Sequence, residues 1–222
     1  SLFVTNGYLM QSVIEEKETR LIEILISTVR PSQLLAGKIL AMGLVGLLQL
    51  AVWVGAIYVA VQVASGGSVG QVVGALATIA NLQIPLNILP ALLLYFIFAY
   101  FLFAGLFAIV GALSNSMREG PQYAVIFTLP AALPLYFISV LASAPDGTIA
   151  TVLSFIPLTA PITMAARLAI SQVPFWQLVA SLLLLAATAA LVMWLAGRVF
   201  RVQVLLAGQM PKLRDLPKLI KG

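Results

Sequence analysis

The feature that most constrains this chain is a run of 79 consecutive residues without a charged side chain, from Ile39 to Met117. A soluble protein cannot build a hydrated surface from such a stretch. Of all 222 residues, 62% are hydrophobic and 9% are charged, whereas soluble domains have about 45–50% and about 25%. This composition excludes a water-soluble globule and indicates a membrane protein.

Charges and helix breakers divide the sequence into membrane spans. About 20 apolar residues are needed to cross roughly 30 Å of hydrocarbon as a helix, and every backbone amide must be bonded within the protein. The long uncharged run is interrupted by Ser-Gly-Gly-Ser at 65–68 and by Asn and Pro residues between 81 and 90, which favour turns. We therefore expect an all-α, polytopic membrane helix bundle at 39–200. Its four full spans are about 39–64, 86–113, 123–142 and 175–200.

Two proline-containing segments depart from a simple span. Pro130 and Pro134 fall inside the third span and predict a kink, because neighbouring helices can satisfy the backbone groups that a proline frees. The hydrophobic segment at about 145–170 carries Pro157 and Pro161, so we expect an outer-side hairpin of two short elements packed on the bundle. An ordinary extracellular loop is the alternative.

The distribution of Lys and Arg predicts the orientation of the chain in the membrane. Placing 15–38, 114–121 and 198–222 on the cytoplasmic side puts 11 of the 12 basic residues inside and leaves Arg167 outside, as the positive-inside rule favours. This orientation implies a basic cytoplasmic tail at 201–222 and a cytoplasmic C-terminus. The tail is suited to anionic membrane lipid, and a chain this apolar is not suited to nucleic acid.

Residues 1–14 are mostly apolar but too short to cross the bilayer, and they run directly into a charged segment. They resemble the inner half of a span. A signal peptide would begin with a basic region and end at a small-residue cleavage site. We therefore interpret residues 1–14 as the end of a truncated transmembrane span.

The segment 15–38 is the place where the composition changes abruptly, because most of the acidic residues lie there. At 100° per residue, charged side chains from Glu16 to Arg30 gather on one face and aliphatic side chains gather on the opposite face. This pattern predicts a cytoplasmic amphipathic helix that Pro31 ends with a turn. The balanced charge favours docking on another protein, and a helix lying on lipid is the alternative.

Three stretches of sequence carry a resemblance to a known family. They are Glu15-Glu16-Lys17-Glu18-Thr19-Arg20 with Glu23-Ile24-Leu25, Pro31 and Gly37-Lys38; residues 155–167; and Arg198-Val199-Phe200-Arg201 with the residues that follow. Together they resemble the ABC exporter permeases of the ABC type two class, particularly the sodium-efflux and drug-efflux branch. The stretch Thr28-Val29-Arg30-Pro31 departs from the Ser-Pro-Val-Ser that this family often shows.

The resemblance implies a transmembrane permease subunit of an ABC exporter, which couples ATP hydrolysis by separate subunits to substrate efflux. The implied partners are an ABC ATPase subunit, a second permease half in a homo- or heterodimer, and membrane lipid in a prokaryotic plasma (inner) membrane. ATP and Mg would bind to the partner subunit, so this chain would hold no cofactor or metal and would not be an enzyme. The implied coupling-helix residues are Glu15, Glu16, Lys17, Glu18, Arg20, Glu23, Arg30 and Pro31.

The sequence itself lacks motifs for energy conversion. A phosphate-binding loop ends in Gly-Lys-Ser/Thr, but Gly37-Lys38 is followed by Ile39. Cys and His are absent, which removes thiol nucleophiles, imidazole bases and the commonest ligands for zinc, copper and haem. The predicted spans contain no charged relay, which disfavours an ion-coupled transporter. A non-transporting membrane scaffold subunit of a larger complex stays open as the alternative function.

Overall fold

The computed structural model of this chain describes residues 2–18, 31–65 and 88–205. Within these ranges no strand occurs, and nearly all residues are helical. The predicted all-α helix bundle is therefore confirmed. The helices are α1 (Leu2–Glu18), α2 (Pro31–Ser65), α3 (Leu89–Leu113), α4 (Glu119–Tyr136), α5 (Ile138–Ser143), α6 (Thr148–Phe155), α7 (Ala160–Ile170) and α8 (Phe175–Leu205).

Three of the described helices are long and apolar enough to cross a membrane. They contain the stretches Gln33–Ala56, Leu89–Leu113 and Phe175–Val202. Stretches of 24 to 28 residues are about 36 to 42 Å long as helices, which exceeds the roughly 30 Å of hydrocarbon in a bilayer. These three stretches belong to α2, α3 and α8. Several such helices in one chain are typical of a multi-pass membrane protein.

The predicted span at 123–142 falls on two consecutive helices. α4 contains Pro130 and Pro134, and Phe137 separates it from α5. A proline inside a helix has no N–H to donate, and its ring clashes with the carbonyl of the preceding turn. α4 continues through both prolines, and the chain departs from helical geometry at Phe137, with φ −97° and ψ 15°.

α3 is the central helix of the bundle, and α1 and α8 pack on it. Its buried positions run from Tyr95 to Ala112. At Gly105, a Cβ would lie 2.8 Å from the Val192 side chain and 3.3 Å from the backbone nitrogen of Met193. The absence of a side chain at Gly105 thus allows α3 and α8 to approach closely, as small residues do between membrane helices.

The segment 145–170 forms two short helices, α6 and α7, joined around Pro157. Ala150 and Leu153 of α6 are buried, as is Met164 of α7. Met164 belongs to an apolar cluster with side chains of α3 and α8. The two helices therefore pack on the bundle.

The two ends of the bundle differ in chemistry. We call one of them the basic end, because Lys17, Lys38 and the last turns of α3 and α8 meet there. We call the other the hairpin end, because it holds α6, α7 and the first turns of α3 and α8. Contacts of Thr5 with Gln49 and of Ser12 with Lys38 show that α2 runs antiparallel to α1 between these ends.

Candidate functional site at the basic end

The predicted coupling segment 15–38 divides into three parts. Glu15 to Glu18 continue α1 without a break, and Pro31 begins α2. Outside the described residues lie Arg20, Glu23 and Arg30. The roles of these three residues stay predictions. In sequence they lie between the last turn of α1 and the first turns of α2, which the structure describes and which we call the two roots of the coupling segment.

Glu16 joins the end of α1 to the start of α2. Its Oε1 lies 2.7 Å from the Nζ of Lys38, and the two side chains are 19% and 16% exposed. Lys38 also donates to the backbone carbonyl of Ser12 at 3.3 Å and to its hydroxyl at 3.2 Å. Shielding from solvent strengthens such a pair relative to one on an open surface. The ion pair therefore fixes the two roots of the coupling segment to each other.

Lys17 ties α1 to the end of α3. Its Nζ donates to the carbonyls of Ala112 at 3.1 Å and Ser114 at 3.0 Å, and to the Oδ1 of Asn115 at 3.4 Å. The last carbonyls of a helix lack intrahelical partners and carry partial negative charge, which favours a cation there. Burial lowers the pKa of Lys17, and the smaller effect of nearby Glu119 raises it. Lys17 therefore serves as a cap for the C-terminal end of α3.

Glu119 brings α4 into the same group of contacts. Its Oε2 accepts a hydrogen bond from the backbone nitrogen of Asn115 at 3.0 Å. The adjacent Gly120 lies against α1, since a Cβ there would be 2.7 Å from the Cδ1 of Ile14. The contacts at this end thus join the ends of four helices. We call the residues that make them the root cluster: Ser12, Glu16, Lys17, Lys38, Ser114, Asn115 and Glu119.

The polar groups of the root cluster hold helices together. Its lysines and carboxylates bond to one another or to helix ends, although the Oε2 of Glu16 is buried without a partner among the described residues. Across the described ranges, no group of three or more His, Cys, Asp or Glu side chains is placed to hold a metal ion. The arrangement holds the ends of α1, α2, α3 and α4 together.

The predicted coupling residues that the structure describes differ in their surroundings. Glu15 is exposed to solvent, Glu16 pairs with Lys38, and Lys17 bonds to the C-terminal end of α3. The helical periodicity assigned Glu16 to the charged face of an amphipathic helix, but it carried no information about a partner on α2. Lys38 was the available signal, because a cation at the start of an apolar span needs an acceptor nearby.

Comparison with known proteins finds similarity over nearly the whole chain. A sequence-family model described as "ABC-2 family transporter protein" matches residues 1–198. The "Uncharacterized protein YhaP" of Bacillus subtilis (strain 168) is 28% identical over 208 residues, which cover 94% of this chain and 49% of that protein. The "Uncharacterized protein MJ1024" of Methanocaldococcus jannaschii is 25% identical over 217 residues, covering 97% and 49%. The chain thus spans about half the length of these relatives, and no solved structure matches it.

Proposed function

We propose, because this chain belongs to the ABC-2 transporter family, that it forms the membrane permease part of an ATP-driven exporter. The family supplies the transmembrane permease components of ABC transporters, which typically work with an ABC ATPase partner and are typically not catalytic themselves. In this proposal, ATP and Mg bind to the partner subunit. The membrane is the prokaryotic plasma membrane, and the basic end faces the cytoplasm.

The root cluster is the observation that carries this proposal. Residues 19–30 connect α1 to α2, and the ion pair between Glu16 and Lys38 joins the two helices where that connection begins and ends. A partner that moves the connection therefore acts on α1 and α2 together. Lys17 extends the same action to α3. Movement of the ATPase is thus converted into a rearrangement of membrane helices.

The mixture of positive and negative charge on residues 19–30 and on nearby Glu15 suits docking to a protein partner. Arg20, Glu23 and Arg30 supply both signs of charge along this stretch, and Glu15 adds an exposed carboxylate at its root. An anionic lipid surface would instead favour a basic face. We therefore assign the docking of the ABC ATPase to this stretch and the transmission of its movement to the root cluster.

A second permease half completes the transporter in this proposal. α2 presents a row of large apolar side chains that the other described helices leave exposed, and a membrane covers such a row with lipid or with another helix. Either a second copy or a related chain would serve. The most exposed side chains in this row are Leu40, Leu44, Leu48, Val52 and Trp53.

Charge reversal in the connection tests the docking step. We expect Arg20→Glu to lower the amount of ABC ATPase retained by the purified complex about tenfold, which corresponds to about 1.4 kcal/mol. The matched control is Arg201→Glu, an exposed position on α8 at the same end with the same change of charge. Retention is measured by quantitative immunoblotting at equal membrane insertion.

Two results would contradict the docking assignment. One is full retention of the ATPase by the Arg20→Glu complex. The other is an equal loss in the Arg201→Glu control, which would attribute the effect to net charge. A native complex that contains no ATPase at all would instead support the scaffold function.

A further inference from the structure

A second polar cluster surrounds a buried arginine at the hairpin end. The side chain of Arg167 on α7 is 1% exposed, and it is the largest of the fully buried side chains in the part of the chain that the structure describes. A guanidinium keeps its charge at every accessible pH. Its burial therefore requires acceptors from the surrounding protein.

Three segments of the chain supply those acceptors. Nη1 of Arg167 donates to the Oγ of Ser154 on α6 at 3.0 Å. Nη2 donates to the Oδ1 of Asp146, just before α6, at 3.1 Å and to the Oε1 of Gln177 on α8 at 3.0 Å. One side chain thus fastens both helices of the hairpin to the start of α8.

Further hydrogen bonds connect this fastening to the centre of the bundle. The hydroxyl of Ser181 on α8 donates to the carbonyl of Ser154. Tyr95 on α3 donates to the carbonyl of Leu178 on α8 at 3.1 Å. Hydrogen bonds therefore link the hairpin to α8, and α8 to α3. We call the group around the arginine the arginine latch: Asp146, Ser154, Arg167, Gln177 and Ser181.

The latch satisfies its central charge incompletely. The Nε of Arg167 is buried and has no protein acceptor among the described residues. Asp146, the one carboxylate bonded to the guanidinium, is 62% exposed. The Oε2 of Glu16 at the basic end is likewise buried without a partner among the described residues. The latch differs from that ion pair in the exposure of its one carboxylate, through which solvent already reaches the charged partner.

We propose that the arginine latch holds the α6–α7 hairpin closed over the hairpin end, and that it releases when the transporter opens outward. Separation of α7 from α6 or α8 removes acceptors from a buried charge, which disfavours intermediate positions. Release lets water reach the guanidinium, so the open position is also satisfied. Arg167 is thus a positioning residue for export, and this inference rests on the proposed function.

Cysteine accessibility tests the latch, because this chain has no cysteine of its own. Thr163→Cys places a thiol on α7 at a fully buried position, where the native hydroxyl bonds only within its own helix. Ala112→Cys places a matched buried reporter at the basic end. Each is introduced into the full protein, assembled with its ATPase and otherwise free of reactive cysteine. The labelling rate with a maleimide is measured on the detergent-purified assembly, in which both ends are accessible to the reagent, with and without ATP plus vanadate.

We expect trapping with ATP and vanadate to raise the labelling rate at Thr163→Cys about tenfold, as local opening exposes the thiol. Arg167→Met should make that rate high in both nucleotide states, and Arg167→Lys should restore slow labelling only partly, because an ammonium cannot match the planar fork. Gln177→Leu, which removes a single half-buried acceptor, is the milder second variant should Arg167→Met fail to assemble. It should raise the nucleotide-free rate to a smaller extent.

The reporters separate failure of the latch from failure of the proposed function. If Ala112→Cys responds to nucleotide while Thr163→Cys stays protected, the latch is overturned and the proposed function stands. If neither reporter responds, the proposed function is overturned and the latch with it. The role of Arg167 would also be overturned if the Thr163→Cys reporter showed the same nucleotide-dependent labelling with and without the Arg167→Met substitution.

Discussion

The two ends of the bundle fasten helices with ion pairs of different shielding. At the basic end, the side chains of Glu16 and Lys38 are 19% and 16% exposed. At the hairpin end, Arg167 is 1% exposed. Loss of Glu16 leaves Lys38 with partial access to water, whereas loss of Asp146, itself 62% exposed, leaves a guanidinium that is 1% exposed with one acceptor fewer. We therefore expect removal of an acceptor to cost more free energy at the hairpin end than at the basic end.

The largest effect should come from removing the carboxylate of the arginine latch. We expect Asp146→Ala to destabilise the protein by about 2 kcal/mol, below the roughly 3–5 kcal/mol of a fully buried pair, because Asp146 is largely exposed. Arg167→Met should partly restore stability in the Asp146→Ala background, because it removes the stranded charge. The free energy of unfolding in detergent is compared for the four members of this cycle. A double variant no more stable than Asp146→Ala would contradict a stranded buried cation.

The next effect concerns the contact that links the two ends. We expect Gly105→Val to destabilise the pairing of α3 and α8 by about 1–3 kcal/mol, since its Cβ would lie 2.8 Å from the Val192 side chain. The control is Gly197→Val on α8, where a Cβ meets nothing within 4 Å. Thermal unfolding of the two variants measures the difference. Equal unfolding temperatures would show that the close approach at Gly105 is not needed.

A smaller effect is expected at the basic end. Glu16→Ala should destabilise the protein by about 1 kcal/mol or less, because Lys38 keeps its contacts with Ser12 and some access to water. Exchanging the charges with Glu16→Lys and Lys38→Glu together should recover part of the loss. Gln11→Ala, at an exposed position on the same helix, is the control in the same unfolding assay. A larger loss for Glu16→Ala than for Asp146→Ala would reverse the comparison between the ends.

The smallest effect is the response of each end to salt. The screening length falls from about 10 Å at 0.1 M to about 3 Å at 1 M salt, and shielded pairs are screened least. The destabilisation caused by Glu16→Ala should therefore shrink by a few tenths of a kcal/mol in 1 M KCl. The destabilisation caused by Asp146→Ala should shrink more, because Asp146 is 62% exposed whereas Glu16 is 19% exposed. An equal salt response of the two variants would show that the difference in burial has no electrostatic consequence.

The positions of the long helices could be predicted because bilayer thickness sets their length. The predicted span 86–113 lies within three residues of α3 at both ends. The kink predicted at Pro130 and Pro134 stays a prediction, because α4 runs through both residues and ends at Tyr136. Such features are local, since charges, prolines and helix length can be read from a single stretch of sequence.

The partners of buried charges could not be predicted in the same way. Arg167 stood out in sequence only as the one basic residue on the outer side, and its acceptors Asp146 and Gln177 are 21 and 10 residues away. The ion pair of Glu16 with Lys38 likewise depends on how α1 and α2 pack. One sequence does not reveal such distances, because they follow from tertiary packing.

The most direct measurement is a cryo-electron microscopy map of the intact transporter assembly. We predict that residues 19–30 contact the ABC ATPase subunit, with the ion pair between Glu16 and Lys38 formed at their roots. A map in which residues 19–30 contact only lipid headgroups, with no other polypeptide beside them, would contradict ATP-driven coupling through this segment.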